Sequence, residues 1–184
     1  MSNAYWTLNN FPKNIFPKYV EELDRNVTPY IDKFLCSPHP HRKGAVCPFV
    51  KPALNKNNIH LTYYPNPEAL KNLSQSKDFL EGVLNHYVNN IQKDNHFGAV
   101  VVLFPADFDS ELLCDIQLFI KEVYVNKYTM IGALFPKSDA PSLHSNDYFP
   151  LRTPIPTLVI RDLVPTDLQF LIQNSVNLDK KNHF

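Results

Sequence analysis

Gly98-Ala-Val-Val-Val-Leu-Phe-Pro105 is an uninterrupted apolar run with the length of a β-strand. Strands that are apolar at every position are usually buried on both faces, so this run predicts a strand inside a sheet. Three further runs have strand-like composition, at residues 59–64, 129–135 and 157–163. With helical patterns between them, they predict an α+β fold: a small mixed sheet of about four strands packed with helices. An α/β sandwich is the near alternative.

The helices are indicated by apolar residues that recur at intervals of three and four. Between residues 18 and 36 this pattern contains Pro29, which should divide the segment into two short helices. Further helices are expected to begin near three capping or first-turn signals. These signals are Asn66-Pro67-Glu68, Asp109-Ser110 and Pro165-Thr166-Asp167.

The length and charge of the chain limit its organisation and its partners. Its 184 residues fit one domain, 1–184, with an extended N-terminal arm at 1–17 and a frayed tail at 174–184. Eighteen basic and eighteen acidic residues cancel, which argues against a nucleic-acid or anionic-membrane partner. No apolar run reaches the roughly 20 residues that span a bilayer. A homodimer is one option that the sequence leaves open.

Cysteine and glycine usage narrow the class further. The three cysteines lack the spacing of a metal knuckle, so we expect a cytoplasmic protein without structural disulfides. The four glycines are scattered, whereas dinucleotide and phosphate loops need clustered glycines. Rossmann and Walker-type sites are therefore not expected.

Residues 37–54 are the first candidate for a functional segment. Four of the sixteen prolines lie here, so we predict neither a helix nor a central strand. Cys47 precedes Pro48, and a proline in this place keeps the backbone extended and exposes a thiolate, one of the usual axial ligands of haem iron. His39 and Arg42 lie nearby and are predicted to act with Cys47. The alternative is that Cys47 is a packed small residue before a turn.

The second candidate segment is the polar stretch 137–156, because loops of this length inside a domain are usually functional. His144 is flanked by polar residues that could fix its tautomer, as an iron ligand or a general base requires. Arg152 and Arg161 are predicted to hold haem propionates or a substrate carboxylate. For Arg161, an ion pair with Asp162 or Asp167 is the favoured alternative.

A resemblance joins these two segments. The first reads Pro38-His-Pro-His-Arg-Lys-Gly-Ala-Val-Cys-Pro-Phe-Val50, and the second runs from Leu143-His144 through Phe149-Pro-Leu-Arg-Thr-Pro-Ile-Pro156 to Arg161-Asp162. Together they resemble an uncharacterised bacterial domain family found in specialised-metabolite gene clusters, over residues 34–172. The first block of that family reads His-Pro-x-Leu-Gly-Arg-x-Gly-x-Val-Cys-Pro-Phe, two residues longer than the block here.

The cysteine-proline block and the apolar strand are also similar, more distantly, to the YqcI/YcgG-type haem proteins, which include amino-acid N-oxygenases. This resemblance implies haem as cofactor, with His144 or Cys47 as the iron ligand. The leading hypothesis is a haem-dependent oxidoreductase acting on a nitrogen-containing, amino-acid-like metabolite. The alternatives are a non-catalytic module that binds a small molecule or a partner segment, and a cofactor-free enzyme with Cys47 as nucleophile.

Overall fold

Five strands form one mixed sheet in the computed structural model, which describes residues 4–11, 23–64, 73–94 and 97–167. The strands are β1 (Trp6–Thr7), β2 (Ile59–Tyr63), β3 (Ala99–Leu103), β4 (Thr129–Leu134) and β5 (Thr157–Asp162). Their order across the sheet is β1-β2-β3-β5-β4, and only the β2–β3 pair is parallel. The predicted α+β class is confirmed.

The apolar run that indicated a strand is the middle strand of this sheet. Val101 of β3 pairs with Leu61 of β2 on one side and with Val159 of β5 on the other. Four of the five residues of β3 are buried. The prediction of a strand covered on both faces is therefore confirmed, because each face of β3 meets its own hydrophobic core.

The sheet has one strand more than the sequence predicted. Trp6 and Thr7, in the segment expected to be an extended arm, form β1 and pair antiparallel with Leu61 and His60. Thr62 adds a hydrogen bond from its hydroxyl to the carbonyl of Ala4 at 2.8 Å. A two-residue strand has no periodicity to detect, so only its partner reveals it. Residues 12–17 of the arm lie outside the described part of the chain.

Five helices of five or more residues accompany the sheet in the described residues, besides two 3₁₀ turns: α1 (Leu23–Val27), α2 (Tyr30–Phe34), α3 (Val50–Asn55), α4 (Leu73–Asn90) and α5 (Ser110–Val125). The helices α1 and α2 have wide π-type turns and flank Thr28 and Pro29, which are also helical. The segment is thus divided by a change of helix type and not by the break that Pro29 predicted. Asp109 caps α5 by accepting a 2.8 Å hydrogen bond from the Glu111 amide. Pro165–Asp167 is a single 3₁₀ turn, and the tail at 174–184 is outside the described residues.

The helix α3 corrects the prediction that residues 37–54 contain no helix. Pro52 is the third residue of α3. The first four amide groups of a helix have no partner within it, so a proline at this position removes no hydrogen bond. The number of prolines in residues 37–54 was therefore not sufficient to exclude a helix; their positions had to be known as well.

Two hydrophobic cores lie on opposite faces of the sheet. Alternate residues of β3 point to opposite faces, so that Val100 and Val102 belong to one core and Val101 and Leu103 to the other. The first core is closed by α4 and α5, and the second by the short helices α1, α2 and α3. The candidate site is built beside the second core, where the short helices meet the long loop.

Candidate functional site

A tight hairpin presents the histidines of the first segment. We call residues 37–46 the histidine hairpin. Its arms are joined by hydrogen bonds from the His39 amide to the Gly44 carbonyl at 2.8 Å and from the Val46 amide to the Ser37 carbonyl at 2.9 Å. Gly44 has a φ of +95°, which residues with a side chain rarely adopt. The turn therefore depends on a glycine at this position.

Arg42 fastens the tip of the hairpin from within. Its guanidinium donates three hydrogen bonds to backbone carbonyls, of Lys43 at 2.9 Å, Ala45 at 2.7 Å and Val46 at 3.1 Å. Because these bonds use both terminal nitrogens, the main work of Arg42 is to hold the hairpin. The predicted catalytic role of Arg42 stays a prediction. A guanidinium has five N–H donors, so two remain that could contact a ligand.

His39 is buried, with 7% of its surface exposed, and its ring is held from both sides. The His41 amide donates to His39 Nδ1 at 3.0 Å, and His39 Nε2 lies 3.4 Å from Ser142 Oγ. Because Nδ1 accepts this hydrogen bond, the proton of the neutral ring is assigned to Nε2, which donates towards Ser142 Oγ. Burial lowers the pKa of His39, and the charges of Arg42, His144 and His41 lower it further. His39 is thus a neutral hydrogen-bond donor.

The second segment brings His144 and Tyr148 to the same place. The His144 ring stands edge-on to His39, with the ring centres 5.7 Å apart, and Tyr148 packs on His39 at 4.9 Å. The His144 amide donates to Ser142 Oγ at 3.1 Å, which sets the position of its backbone. The ring itself is exposed and receives no hydrogen bond from the described residues. His144 is therefore free to meet a ligand.

A small cavity of about 160 Å³ separates the two segments. Among the predicted site residues it brings together His39, Arg42 and His144. The remaining lining residues are apolar or hydroxyl-bearing: Val46, Pro141, Ser142, Leu143, Pro150 and Leu151. The cavity is open to solvent, so a small molecule could reach the Nε2–H group of His39 and the ring of His144 together.

The short helix α2 fixes the long loop against the sheet. Tyr30 donates a hydrogen bond from its hydroxyl to the Pro150 carbonyl at 2.6 Å. Burial raises the pKa of Tyr30 strongly, with smaller contributions from Cys47 and Tyr148. The phenol is therefore protonated at neutral pH, and its bond keeps the wall of the cavity in place.

Cys47, Arg152 and Arg161 do not line this cavity. Cys47 follows the hairpin, and its amide donates to the Leu35 carbonyl at 2.9 Å. The guanidinium of Arg152 stacks on the Phe149 ring at 4.0 Å, and its Nε donates to the Ser138 carbonyl at 2.8 Å. The predicted ligand and cofactor roles of these three residues stay predictions, at positions outside the lining of this cavity.

Arg161 and Asp167 form a bidentate ion pair. Arg161 Nη1 and Nη2 donate to the two carboxylate oxygens, each at 2.7 Å. Asp167 is 2% exposed at its side chain and also accepts a bond from the Val164 amide at 2.9 Å. Burial acts to raise the pKa of Asp167, but these hydrogen bonds and the positive charge outweigh it and hold the pKa below its usual range. Arg161 thus forms an ion pair, as the favoured alternative to a haem or substrate contact predicted, and its partner is Asp167.

Two histidines without a predicted role form a second histidine contact. His60 Nδ1 and His86 Nε2 are 2.8 Å apart, and Tyr5 stacks on the His86 ring with the ring centres 3.5 Å apart. Burial lowers the pKa of His60. Burial, followed by the effect of His60, lowers the pKa of His86 to about 4. His60 lies on β2 and His86 on α4, and neither residue lines the cavity.

The sequence also gave no role to Ser142 and Tyr148, which orient His39 and His144. Both lie within the long loop, and their polarity is ordinary for a loop. Ser142 and Tyr148 belong to the site only because the fold brings the histidine hairpin next to them. No pattern in the sequence therefore distinguishes these two residues from other loop residues. Within the described ranges, no three histidine, cysteine or acidic side chains are grouped so that they could hold a metal ion.

A family model described as "Domain of unknown function (DUF6875)" matches residues 24–183. The chain belongs to this family. The match spans both segments of the candidate site, so the histidine hairpin and the long loop fall within one family domain. It confirms the predicted membership of an uncharacterised domain family. No significant match was found among curated proteins or among solved structures. None of the described helices is both long and apolar enough to cross a membrane.

Proposed function

We propose that this DUF6875 domain is a haem-dependent oxidoreductase that acts on a nitrogen-containing, amino-acid-like metabolite, with His144 as the iron ligand. One observation carries the proposal. The exposed His144 ring, which no described residue hydrogen-bonds, stands at the mouth of a small cavity beside a buried His39 that donates from Nε2. The choice of haem as cofactor follows the distant sequence resemblance of the cysteine-proline block and the apolar strand to the YqcI/YcgG-type haem proteins.

The donor set fits a haem better than a metal ion held by side chains alone. A chelated ion needs several converging ligands, whereas a porphyrin supplies four nitrogens and needs one axial side chain. His39 cannot serve as that ligand in its present state, since its Nδ1 accepts a backbone hydrogen bond and its Nε2 carries the proton. His144 has no such restriction. It therefore fits the role of axial ligand.

The size of the cavity favours a substrate over a haem as its occupant. Its volume of about 160 Å³ is below the roughly 300 Å³ at which ordinary ligand pockets begin. It has room for an amino-acid-sized group and not for a porphyrin, so a haem would be met by residues at the exposed mouth. His144 lies there. The haem, when bound, would supply the oxygen and redox chemistry.

The residues of this chain would then position the substrate. His39 donates a hydrogen bond from Nε2 to a substrate oxygen or nitrogen in place of Ser142 Oγ, and its lowered pKa keeps the ring neutral as the donor. Tyr148 restricts the ring by packing on it. The two walls of the cavity are the histidine hairpin and the long loop. Arg42 and Tyr30 hold these walls in place through hydrogen bonds to backbone carbonyls.

A second candidate function uses the same cavity without a cofactor. The small volume and the oriented His39 donor also suit a module that binds a small polar metabolite and performs no chemistry. In that case His144 would contact the bound molecule directly. The two functions differ in whether the protein takes up haem.

The test is haem binding by the purified protein. Protein from haem-replete cells, or apoprotein titrated with haemin, should show a Soret band whose position changes in His144→Ala. His41→Ala is the matched control, since His41 is an exposed histidine of the same cluster, and it should keep the wild-type spectrum. A protein that refuses haemin overturns the cofactor and favours the binding module. A spectrum altered only by His41→Ala overturns the assignment of the ligand.

A further inference from the structure

Two of the three cysteines lie on neighbouring arms at the base of the histidine hairpin. The Val46 amide donates to the Ser37 carbonyl, and the Cys47 amide donates to the Leu35 carbonyl, both at 2.9 Å. These two bonds stand on either side of Cys36. The backbone of Cys36 therefore runs directly beside that of Cys47. Both cysteines are free thiols of intermediate exposure.

The base of the hairpin is a turn and not a pair of extended arms. Leu35 has a helical backbone conformation, and the Ser37 amide bonds to the Phe34 carbonyl at 3.1 Å, so Cys36 lies within this turn. The Cys47 amide bonds to the carbonyl of Leu35, the residue directly before Cys36. The two cysteines therefore lie one backbone hydrogen bond apart.

The Cys36 thiol is a weak hydrogen-bond donor to the Ile31 carbonyl at 3.7 Å. Burial raises the pKa of Cys36, and the charge of Cys47 raises it further. The Cys36 thiol is therefore protonated at neutral pH.

We propose that Cys36 and Cys47 form a reversible intramolecular disulfide when the protein meets a small-molecule disulfide such as oxidised glutathione. The hydrogen bond from the Cys47 amide to the carbonyl of the residue directly before Cys36 holds the two backbones side by side. A disulfide needs about 4.4 to 6.8 Å between the two Cα atoms. Backbones held one hydrogen bond apart bring the two thiols within reach of such a bond.

The exchange takes two steps. The Cys47 thiolate attacks one sulfur of the oxidised glutathione, forming a mixed disulfide and releasing one glutathione thiolate. Cys36 then loses its proton and attacks the Cys47 sulfur, forming the protein disulfide and releasing the second glutathione thiolate. The two protein thiols lose two protons and two electrons, and the glutathione disulfide is reduced to two thiols. We assign Cys36 as the resolving residue because its thiol donates a hydrogen bond to the Ile31 carbonyl, which holds its proton.

The bond would tie together the base of the loop that carries His39, His41 and Arg42. Closing this short loop restricts the unfolded chain and stiffens the wall of the cavity. The inference is independent of the proposed haem function, since it depends on the backbone pairing of the hairpin alone.

The experiment is thiol counting on the full chain. Protein incubated with oxidised glutathione is denatured, treated with N-ethylmaleimide and weighed by mass spectrometry. We expect one labelled thiol after oxidation and three after reduction with dithiothreitol, and peptide mapping should find Cys36 linked to Cys47. Cys114→Ser is the matched control, because Cys114 lies on α5 and should not affect the cross-link.

A second variant tests the order of the steps. Cys36→Ser should keep glutathione attached to Cys47 as a mixed disulfide that only dithiothreitol removes. If that variant does not fold, the peptide map of the wild-type chain decides the question alone. Three labelled thiols after oxidation, glutathione retained on the wild-type cysteines, or a cross-link between two chains would each overturn the proposal.

Discussion

Asp167→Asn is the substitution for which the structure gives the clearest energetic expectation. The carboxylate of Asp167 accepts two bonds from Arg161 and one from the Val164 amide, and its side chain is 2% exposed. Asparagine keeps the shape but removes the charge, and its amide group turns a donor towards the guanidinium. In the variant, one Arg161–Asp167 hydrogen bond is replaced by a contact between two N–H donors, one of the guanidinium and one of the asparagine amide.

The expected cost follows from how deeply each partner lies. Breaking a fully buried ion pair costs about 3–5 kcal/mol, because one charge is left without compensation. Arg161 is 32% exposed at its side chain, so water can solvate part of the guanidinium once the carboxylate is gone. We therefore expect Asp167→Asn to lower the free energy of unfolding by about 2–3 kcal/mol, below the range for full burial.

Equilibrium unfolding in urea measures this loss, with the slope checked to be unchanged. The control is Asp139→Asn, since the Asp139 carboxylate is 97% exposed and lies 3.6 Å from Arg152. Exposed pairs of this kind contribute at most about 1 kcal/mol. If Asp167→Asn costs no more than Asp139→Asn, the pair does not stabilise the fold as argued, and Arg161 would again be a candidate for cofactor binding.

The same pair gives a pH dependence with a definite sign. The pKa of Asp167 in the folded protein is held below its usual range, whereas the unfolded chain has the ordinary value of about 3.9. The stabilisation is therefore complete above about pH 5 and is lost as the pH falls below 3.9 towards the folded pKa. The difference in unfolding free energy between wild type and Asp167→Asn should shrink over that range. A constant difference would contradict the lowered pKa.

Two further substitutions test the hairpin and the second histidine contact. Arg42→Lys keeps the charge but loses the planar group that reaches three carbonyls. We therefore expect the free energy of unfolding to fall by about 1–2 kcal/mol and the Val46 amide to exchange faster. Unchanged exchange at Val46 would show that the hairpin does not need Arg42. His86→Phe keeps a ring for Tyr5 to stack on and removes a group whose pKa is lowered from 6.5 to about 4 by burial and by His60. The folded wild type resists protonation there, so its stability falls as the pH drops through 6.5, and the variant should gain on wild type between pH 7.5 and 5 in parallel urea titrations. A variant that loses ground on acidification would refute this sign.

The sequence predicted the parts of the fold that depend on local chemistry. The apolar run at β3 and the Asp109 cap of α5 needed no knowledge of the rest of the chain, because burial on two faces and an unsatisfied helix end both leave local patterns. The strand β1 was missed because two residues form a strand only by pairing with β2. The helix α3 was missed because the effect of Pro52 depends on its position within the helix.

The candidate site divides in the same way. The sequence located His39, Arg42 and His144 in two segments about a hundred residues apart, and the fold brings them to one cavity. It could not tell that Cys47 is absent from that cavity, since the side on which a residue lies depends on the pairing of the hairpin arms. The partner of Arg161 could be narrowed to two nearby acids, but the choice of Asp167 depends on the turn at Pro165–Asp167.

The tautomer of His39 decides which histidine can act as a ligand, and it too was beyond the reach of the sequence. The His-x-His spacing suggests two equivalent imidazoles, whereas the hairpin directs the amide of the second residue onto Nδ1 of the first. An imidazole that accepts at Nδ1 must carry its proton at Nε2, so His39 donates where a ligand would have to offer a lone pair. A ligand role for His39 would require this backbone bond to break and the ring to turn. His144 needs neither change, which is why the proposed function gives the two histidines different roles in one cavity: His39 would orient the substrate and His144 would bind the iron.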